Sequence, residues 1–288
     1  MNNYVIFTDS ACDLGPKHLE EIGVKYLNLT LVYDGDGKEY KNDEIKPKEF
    51  YDKMRNGAMA KTSAANSDSF CKAFREELKK GNDILYIGFS SGLSTTYNSG
   101  RLACEELKEE FPDRKLIAVD TLSASAGFGM LLDLAVKEKN KGADIEEVAK
   151  FVEETRFKQC HWFTVDDLVY LKRGGRVSPT VAFVGGLLGI KPVLHMDNEG
   201  HLINVTKVRG RNAAIQALAD KFGELAIDKT AGPVYICHGD CEDDAVSLAK
   251  IIKETYGVEV ECTVYTGPVI GAHSGPGTLA LFFIGKER

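Results

Sequence analysis

The first half of the chain alternates short apolar runs with amphipathic stretches of helical period, which predicts strands separated by helices. We predict strands over residues 4–7, 24–32, 83–89 and 115–120, and helices over residues 47–56, 67–80, 94–110 and 123–141. Ser67, Ser94 and Ser123 stand at the first position of their helices and are predicted to cap them. This order is typical of a parallel sheet covered by helices.

The pattern changes after a predicted helix over residues 144–158. Residues 191–210 form two alternating runs joined by Asp-Asn-Glu-Gly, which predicts an antiparallel hairpin. Helices over 211–227 and 242–256 and strands over 233–240, 258–265 and 278–284 complete an α+β half. We therefore expect an α/β protein with a parallel-sheet α/β domain at 1–158, an α+β domain at 159–288, and a ligand between them.

Composition restricts the partners and the compartment. The 288 residues are 43% hydrophobic and 27% charged with a formal net charge of −7, which indicates a sizeable core and argues against nucleic acid as a partner. We expect at most transient contact with a membrane. The seven cysteines are scattered without C-x-x-C spacing, so we expect reduced thiols, no metal and no cofactor. The chain enters a strand at once without a signal-like segment, and we expect a cytoplasmic protein.

The segment GFSSGLSTTYNSG at residues 88–100 follows a buried strand and allows two interpretations. Its first five residues match the G-x-S-x-G elbow of esterases, with Ser90 as nucleophile. Alternatively, Ser94 caps the next helix, and the helix N-terminus together with the hydroxyl groups holds an anion.

Three other places offer groups that could join an anion site. Thr62 and Ser63 lie in a predicted loop, Ser10 follows the first strand, and His273 lies in a predicted glycine-rich loop that allows close backbone approach. Hydroxyl groups and an imidazole around a helix N-terminus would suit a carboxylate.

A basic turn stands out in this acidic chain. The segment LKRGGRVSP at residues 171–179 carries Lys172, Arg173 and Arg176 around two glycines. Such a turn suits a phosphorylated head group or an acidic partner surface, and a solvated turn without a partner is the alternative.

The esterase interpretation would use Ser90, then Asp240, then His273, the chain order of α/β-hydrolases. The elbow requires a helix immediately behind the serine, whereas three residues separate Ser90 from the predicted cap at Ser94. The hairpin half also does not continue a hydrolase sheet. We therefore favour a binding protein and keep the esterase as the alternative.

Seven segments, in chain order, match the pattern of one known family: VIFTDSACDL, KTSAANSDSF, GFSSGLSTTYNS, VDTLSASAG, DDLVYLKRGGRVS, GIKPVLHMDNEG and GPVIGAHSGPG. Together they resemble the DegV family of bacterial fatty-acid-binding proteins. The resemblance implies a non-catalytic protein that holds one long-chain fatty acid in an apolar tunnel and presents it to a separate fatty acid kinase. The ligand contacts that we expect are Thr62, Ser94 and His273 for the carboxylate, with Ser10, Ser63 and Thr95.

The sequence departs from the family pattern at two places beside this expected site. Ala64 and Ala65 replace a Gln-Pro pair, and Thr95 replaces a glycine. The apolar segments at 183–190 and 279–284 are our candidates for the tunnel lining.

Overall fold

The computed structural model describes residues 3–177, 189–230 and 232–288. Its strands are β1 (Tyr4–Asp9), β2 (Lys25–Leu27), β3 (Thr30–Tyr33), β4 (Glu39–Lys41), β5 (Ala60–Ser63), β6 (Asp83–Gly88), β7 (Leu116–Asp120), β8 (Gln159–Thr164), β9 (Ile190–Met196), β10 (Leu202–Arg209), β11 (Val234–His238), β12 (Cys262–Tyr265) and β13 (Leu279–Ile284).

The helices connect these strands, and a short 3-10 turn at Ser10–Cys12 follows β1. They are α1 (Gly15–Glu21), α2 (Pro47–Arg55), α3 (Ser67–Leu78), α4 (Thr96–Glu110), α5 (Ser125–Asn140), α6 (Ile145–Thr155), α7 (Val169–Arg173), α8 (Arg211–Leu225), α9 (Glu242–Tyr256) and α10 (Pro268–Ser274). Within the described ranges, no helix has the length and apolar character needed to cross a membrane.

The N-terminal half contains the expected parallel sheet. Its strand order is β2-β1-β6-β7, and all three pairings are parallel. Every residue of β6 is buried, as expected for a strand covered on both faces by helices. Side chains at the carboxyl ends of β1 and β6 therefore meet at one edge of this sheet, where α/β proteins place their ligands.

The C-terminal half forms a mixed sheet of six strands in the order β10-β9-β8-β13-β11-β12. β11 and β12 pair in parallel, and the other neighbours are antiparallel. The predicted hairpin is confirmed as β9 and β10, whose turn is closed by the Asp197 N–H donating to His201 O at 2.9 Å. Together the two halves confirm the expected fold class.

The predicted strand over 24–32 is wrong because the chain changes sheets within it. β2 belongs to the parallel sheet, whereas β3 joins β4 and β5 in a separate three-stranded antiparallel sheet. Between them, the Leu29 N–H donates to Ser10 Oγ at 2.9 Å and Leu29 O accepts from the Asn42 N–H at 3.0 Å. These bonds to other segments replace strand pairing at the break.

The serine caps are also misplaced. The N-cap of α3 is Asn66, whose side chain accepts from the Ser69 N–H, and α5 follows Ala124 without a side-chain cap. α4 begins at Thr96, two residues after Ser94. The helices exist as predicted, and the errors concern their first residues.

The largest hydrophobic core draws on both halves of the chain. It includes Leu85 and Phe128 from the first half and Phe163 and Phe282 from the second. The division into domains at residue 158 stays a prediction, although β8, the first strand of the mixed sheet, begins at Gln159.

Candidate functional site

A central cavity of about 430 Å³ lies between the loops of the parallel sheet and one face of the mixed sheet. Its floor consists of His161, Phe163, Cys237, Ala280 and Phe282. The register pairs Phe282 with His161, and it pairs Ala280 with both Phe163 and Cys237. Because alternate residues of a strand share one face, these five side chains form a continuous surface.

The apolar side chains of the remaining wall are Leu29, Phe89, Leu93, Ala124, Leu171, Leu202, Val269 and Ile270, and hydroxyl residues also border the cavity at Ser91, Ser125, Thr266, Ser274 and Thr278. Of the predicted lining segment at 279–284, Ala280 and Phe282 border the cavity. Leu279 and Leu281 pack into a second core on the opposite face of the sheet. Residues 183–188 of the other predicted lining segment lie outside the described residues.

One end of the central cavity, called the hydroxyl end below, carries a cluster of hydroxyl groups. Thr62, Ser63, Ser94, Thr95 and His273 all border it, although they come from three distant parts of the chain. β5 supplies the first pair, the loop between β6 and α4 supplies the second pair, and α10 supplies the histidine. The departures from the family pattern are here too, since Ala64 borders the cavity beside Thr95.

At the hydroxyl end, Thr62 Oγ1 and His273 Nε2 share a hydrogen bond of 2.7 Å. Burial, helped by the positive charge of Arg176, lowers the pKa of His273 to about 4, so the imidazole is neutral at pH 7. A neutral imidazole has one N–H donor and one acceptor nitrogen. If Nε2 carries the proton and donates to Thr62, the threonine hydroxyl is free to donate to a ligand.

Two of the sequence predictions about these residues are wrong in local structure. Thr62 lies on β5, paired opposite Leu31 of β3, rather than in a loop. His273 lies on α10, a helix that Pro268 begins and that Gly275 follows at a positive φ of 81°. Gly174 allows α7 to approach the imidazole, because a side chain at position 174 would overlap the ring of His273.

Ser94 organises the chain at the start of α4. Its Oγ accepts from the Thr96 N–H at 3.2 Å and also bonds Thr96 Oγ1 at 2.9 Å. Thr95 is the N-cap residue and makes no side-chain cap bond. The positive end of a 15-residue helix thus borders the hydroxyl end of the cavity.

The basic turn divides into two parts. Arg176 borders the central cavity, its Nε donates to Leu93 O at 3.2 Å, and its guanidinium also bonds Gly174 O. Lys172 and Arg173 lie on the exposed side of the turn. Arg176 therefore borders the cavity, whereas Lys172 and Arg173 are exposed on the outside of the turn.

Ser10 is the one expected ligand contact that the structure places elsewhere. It is buried, its Oγ accepts from the Leu29 N–H at 2.9 Å, and it borders a different cavity together with Asp13 and Tyr26. Its hydroxyl positions the segment between β2 and β3.

The structure contradicts the esterase triad. Ser90 is fully buried and its hydroxyl donates to Gly200 O at 2.9 Å. Asp240 pairs with Arg55 and Lys48, while His273 bonds Thr62. Within the described residues, no hydrogen bond joins any two of the three proposed triad side chains.

Sequence reasoning missed the polar groups at the floor of the cavity. His161 lies on β8, a strand that was not predicted although QCHWFT is rich in aromatic residues. The Cys237 sulfur accepts hydrogen bonds from Ser125 and Thr266, each at 3.2 Å. No local motif marks these residues, because the contacts join segments more than 25 positions apart.

The fold and the cavity define an α/β protein that encloses an apolar ligand cavity with one polar end. The chain belongs to the DegV family, whose model matches residues 3–286. It is 44% identical over 291 residues to a DegV domain-containing protein of Clostridium perfringens, covering 100% of this chain and 99% of the relative.

Two solved structures share the fold. A DegV family protein from Thermus thermophilus, described as fatty-acid-binding, is 31% identical with a TM-score of 0.88 over 98% of this chain and 99% of that one. A stearic-acid-binding protein from Eubacterium ventriosum is 27% identical with a TM-score of 0.88 over 98% of each chain.

Proposed function

We propose that this protein binds one long-chain fatty acid, with the acyl chain in the central cavity and the carboxylate at the hydroxyl end. The proposal is supported by the way apolar and polar side chains are distributed along the cavity. An apolar wall leads to a cluster in which Thr62, Ser94 and His273 border the same space. The fatty acids named for the two related structures have this same division into a long apolar chain and one polar group.

The apolar part of the cavity supplies most of the affinity. Burying about fifteen methylene groups at ~0.8 kcal/mol each gives roughly 12 kcal/mol of gross transfer free energy. Association and ordering reduce this sum considerably. The cavity volume of about 430 Å³ lies within the range of small-molecule sites.

The polar end supplies the discrimination for an anion. Thr62 and Ser94 offer hydroxyl donors, the N-terminus of α4 offers a positive dipole end, and Arg176 offers a formal charge. Ser63 and Thr95 complete the border of this end. A fatty acid fits both parts of the cavity, because its acyl chain ends in a carboxylate, which is an anion.

We further propose that the protein is a non-catalytic carrier that presents the carboxylate to a separate fatty acid kinase. The exposed Lys172 and Arg173 lie on the turn that places Arg176 at the cavity, so a partner that contacts this turn would be next to the carboxylate. Exposed charges of this kind mainly affect the rate and the salt dependence of encounter.

Lipid extraction and mass spectrometry of the purified protein test the proposal. We expect one long-chain fatty acid per chain. Ala280→Trp, which fills the floor of the cavity, should lose this lipid. Val246→Trp, at a position 60% exposed, is the matched control and should retain it. A parent protein that carries no lipid and does not bind added palmitate or stearate would refute the proposal.

A further inference from the structure

His161 is a polar residue in the floor of the central cavity, between two aromatic side chains. It lies on β8 beside Phe163 on the same face, and its ring centroid is 4.5 Å from that of Phe282 and 5.7 Å from that of Phe163. The hydroxyl end is built from β5, the loop between β6 and α4, and α10, whereas His161 belongs to the mixed sheet. It is therefore separate from the groups that face the carboxylate.

The imidazole of His161 makes no hydrogen bond within the described part of the chain. The side chain is 5% exposed, and its Nδ1 is buried without a partner. Burial, followed by the nearby positive charge of Arg288 and by His195, holds the pKa of His161 well below its usual range, so the ring is neutral. A neutral ring offers one donor and one acceptor.

A second unpaired group lies two residues away on the same face of β8. Gln159 is fully buried, and both its amide nitrogen and its amide oxygen lack partners within the described residues. Most buried polar groups in folded proteins are hydrogen-bonded, and leaving one unpaired is costly. An apolar side chain would line a cavity for a plain hydrocarbon chain better than an imidazole does.

We propose that His161 is a specificity-determining residue that hydrogen-bonds a hydroxyl group borne within the acyl chain, so that the ligand class includes mid-chain hydroxy fatty acids. A hydroxyl group can both donate and accept, so it satisfies either tautomer of the imidazole. The proposal rests on the proposed fatty-acid function and adds the chemistry of the chain to it.

The test is competition binding of stearic acid against a set of hydroxystearic acids that differ only in the position of the hydroxyl. In the parent protein, we expect one position, away from both ends of the chain, to bind about tenfold more tightly than the other positions. Where the wall is apolar, the hydroxyl loses its hydrogen bonds to water without replacement, and a maximum that comes from another lining hydroxyl, such as Ser125 or Ser274, would persist in the His161 variant. His161→Phe should remove this maximum while retaining stearate.

His195→Phe is the matched control. His195 is a partly buried histidine whose Nδ1 is also buried without a partner within the described residues, but it stacks on Trp162 on the opposite face of the sheet. It should keep the positional maximum of the parent. If His161→Phe does not fold, the smaller His161→Leu serves for the same comparison.

The outcomes separate the two proposals. A parent that binds no stearate contradicts the fatty-acid function itself. A parent that binds stearate but has a flat positional profile overturns the role of His161 alone, as would happen if an ordered water satisfied the imidazole. A maximum that persists in the His161 variant also overturns it.

Discussion

Thr62 is expected to contact the carboxylate directly, and His273 is expected to act on the ligand only through its hydrogen bond to Thr62. We call this the series arrangement. Their hydrogen bond of 2.7 Å uses the imidazole Nε2, and the pKa of His273 near 4 keeps the ring neutral. With Nε2 as donor, the ring fixes the threonine oxygen and aims the threonine hydroxyl proton at the carboxylate. Of these two residues, only Thr62 then gives the ligand a direct hydrogen bond, and His273 acts through it.

The perturbation is Thr62→Val, which removes the hydroxyl and preserves the branched shape. A hydrogen bond to a charged group contributes about 1.5–3 kcal/mol, so palmitate affinity should fall by roughly one to two decades. Hexadecanol, which has the same chain and no charge, should lose less. The preference for the acid over the alcohol should therefore shrink.

The series arrangement is tested by a double-mutant cycle with His273→Leu, measured as palmitate affinity by titration calorimetry. Once Thr62 is valine, loss of the imidazole should cost little more, so the two losses should not add. Coupling of at least about 1 kcal/mol is expected, compared with the ~0.3–0.5 kcal/mol scatter of independent sites.

Thr30→Val is the matched control for this cycle. Thr30 lies on the adjacent strand β3, and its hydroxyl donates to Glu39 at 2.6 Å on the exposed side. It should leave the ratio of acid to alcohol unchanged. If the losses of palmitate affinity from Thr62→Val and His273→Leu add, the imidazole contacts the carboxylate independently of Thr62. That result would refute the series arrangement.

The basic turn, Ser90 and Asp13 each give one further prediction. Replacing Lys172 and Arg173 with alanine should leave the amount of bound fatty acid unchanged and slow acyl-phosphate formation by a cognate kinase. Arg176→Ala should instead reduce the amount of retained lipid. Loss of lipid in the double variant would place Lys172 and Arg173 at the ligand. A fluorophosphonate probe should not label Ser90, and stoichiometric labelling lost in Ser90→Ala would reinstate the esterase. Burial raises the pKa of Asp13 to about 7, so the folded state favours its neutral form and loses stability as pH rises from about 4 to 7. Asn tolerates the left-handed backbone at position 13 (φ 56°). Between about pH 4 and 7, the free energy of unfolding of Asp13→Asn, measured in urea, should rise relative to that of the parent by on the order of a few kcal/mol. A difference that does not change with pH would contradict the raised pKa.

The parts of the fold that sequence predicts well are those with strong local patterns. β1 and β6 each contain four consecutive apolar residues, and the hairpin of β9 and β10 combines alternation with a turn that glycine closes. β5 has neither feature, because AKTS carries little apolar character and its partner β3 lies about 30 residues earlier. Its existence depends on tertiary pairing, which overrides local propensity.

The helix at His273 was hidden for a different reason. Glycine and proline are frequent in GPVIGAHSGPG, and their usual meaning is a loop. Here Pro268 occupies the helix start, where its missing N–H costs nothing, and Gly275 follows the helix end. The same residues therefore delimit a short helix instead of preventing one.

Candidate residues can be found from sequence, but which of them meet is decided by contacts that sequence does not show. Ser90 and Ser94 are four residues apart in one segment, yet the Ser90 hydroxyl bonds Gly200 while Ser94 borders the cavity. Thr62 and His273 are 211 positions apart and share a hydrogen bond. The serine that resembles a nucleophile is therefore a structural hydroxyl that joins the two halves of the chain. The cavity is also bordered by residues that no local motif marks, and His161, on a strand that the sequence pattern did not predict, is the clearest case.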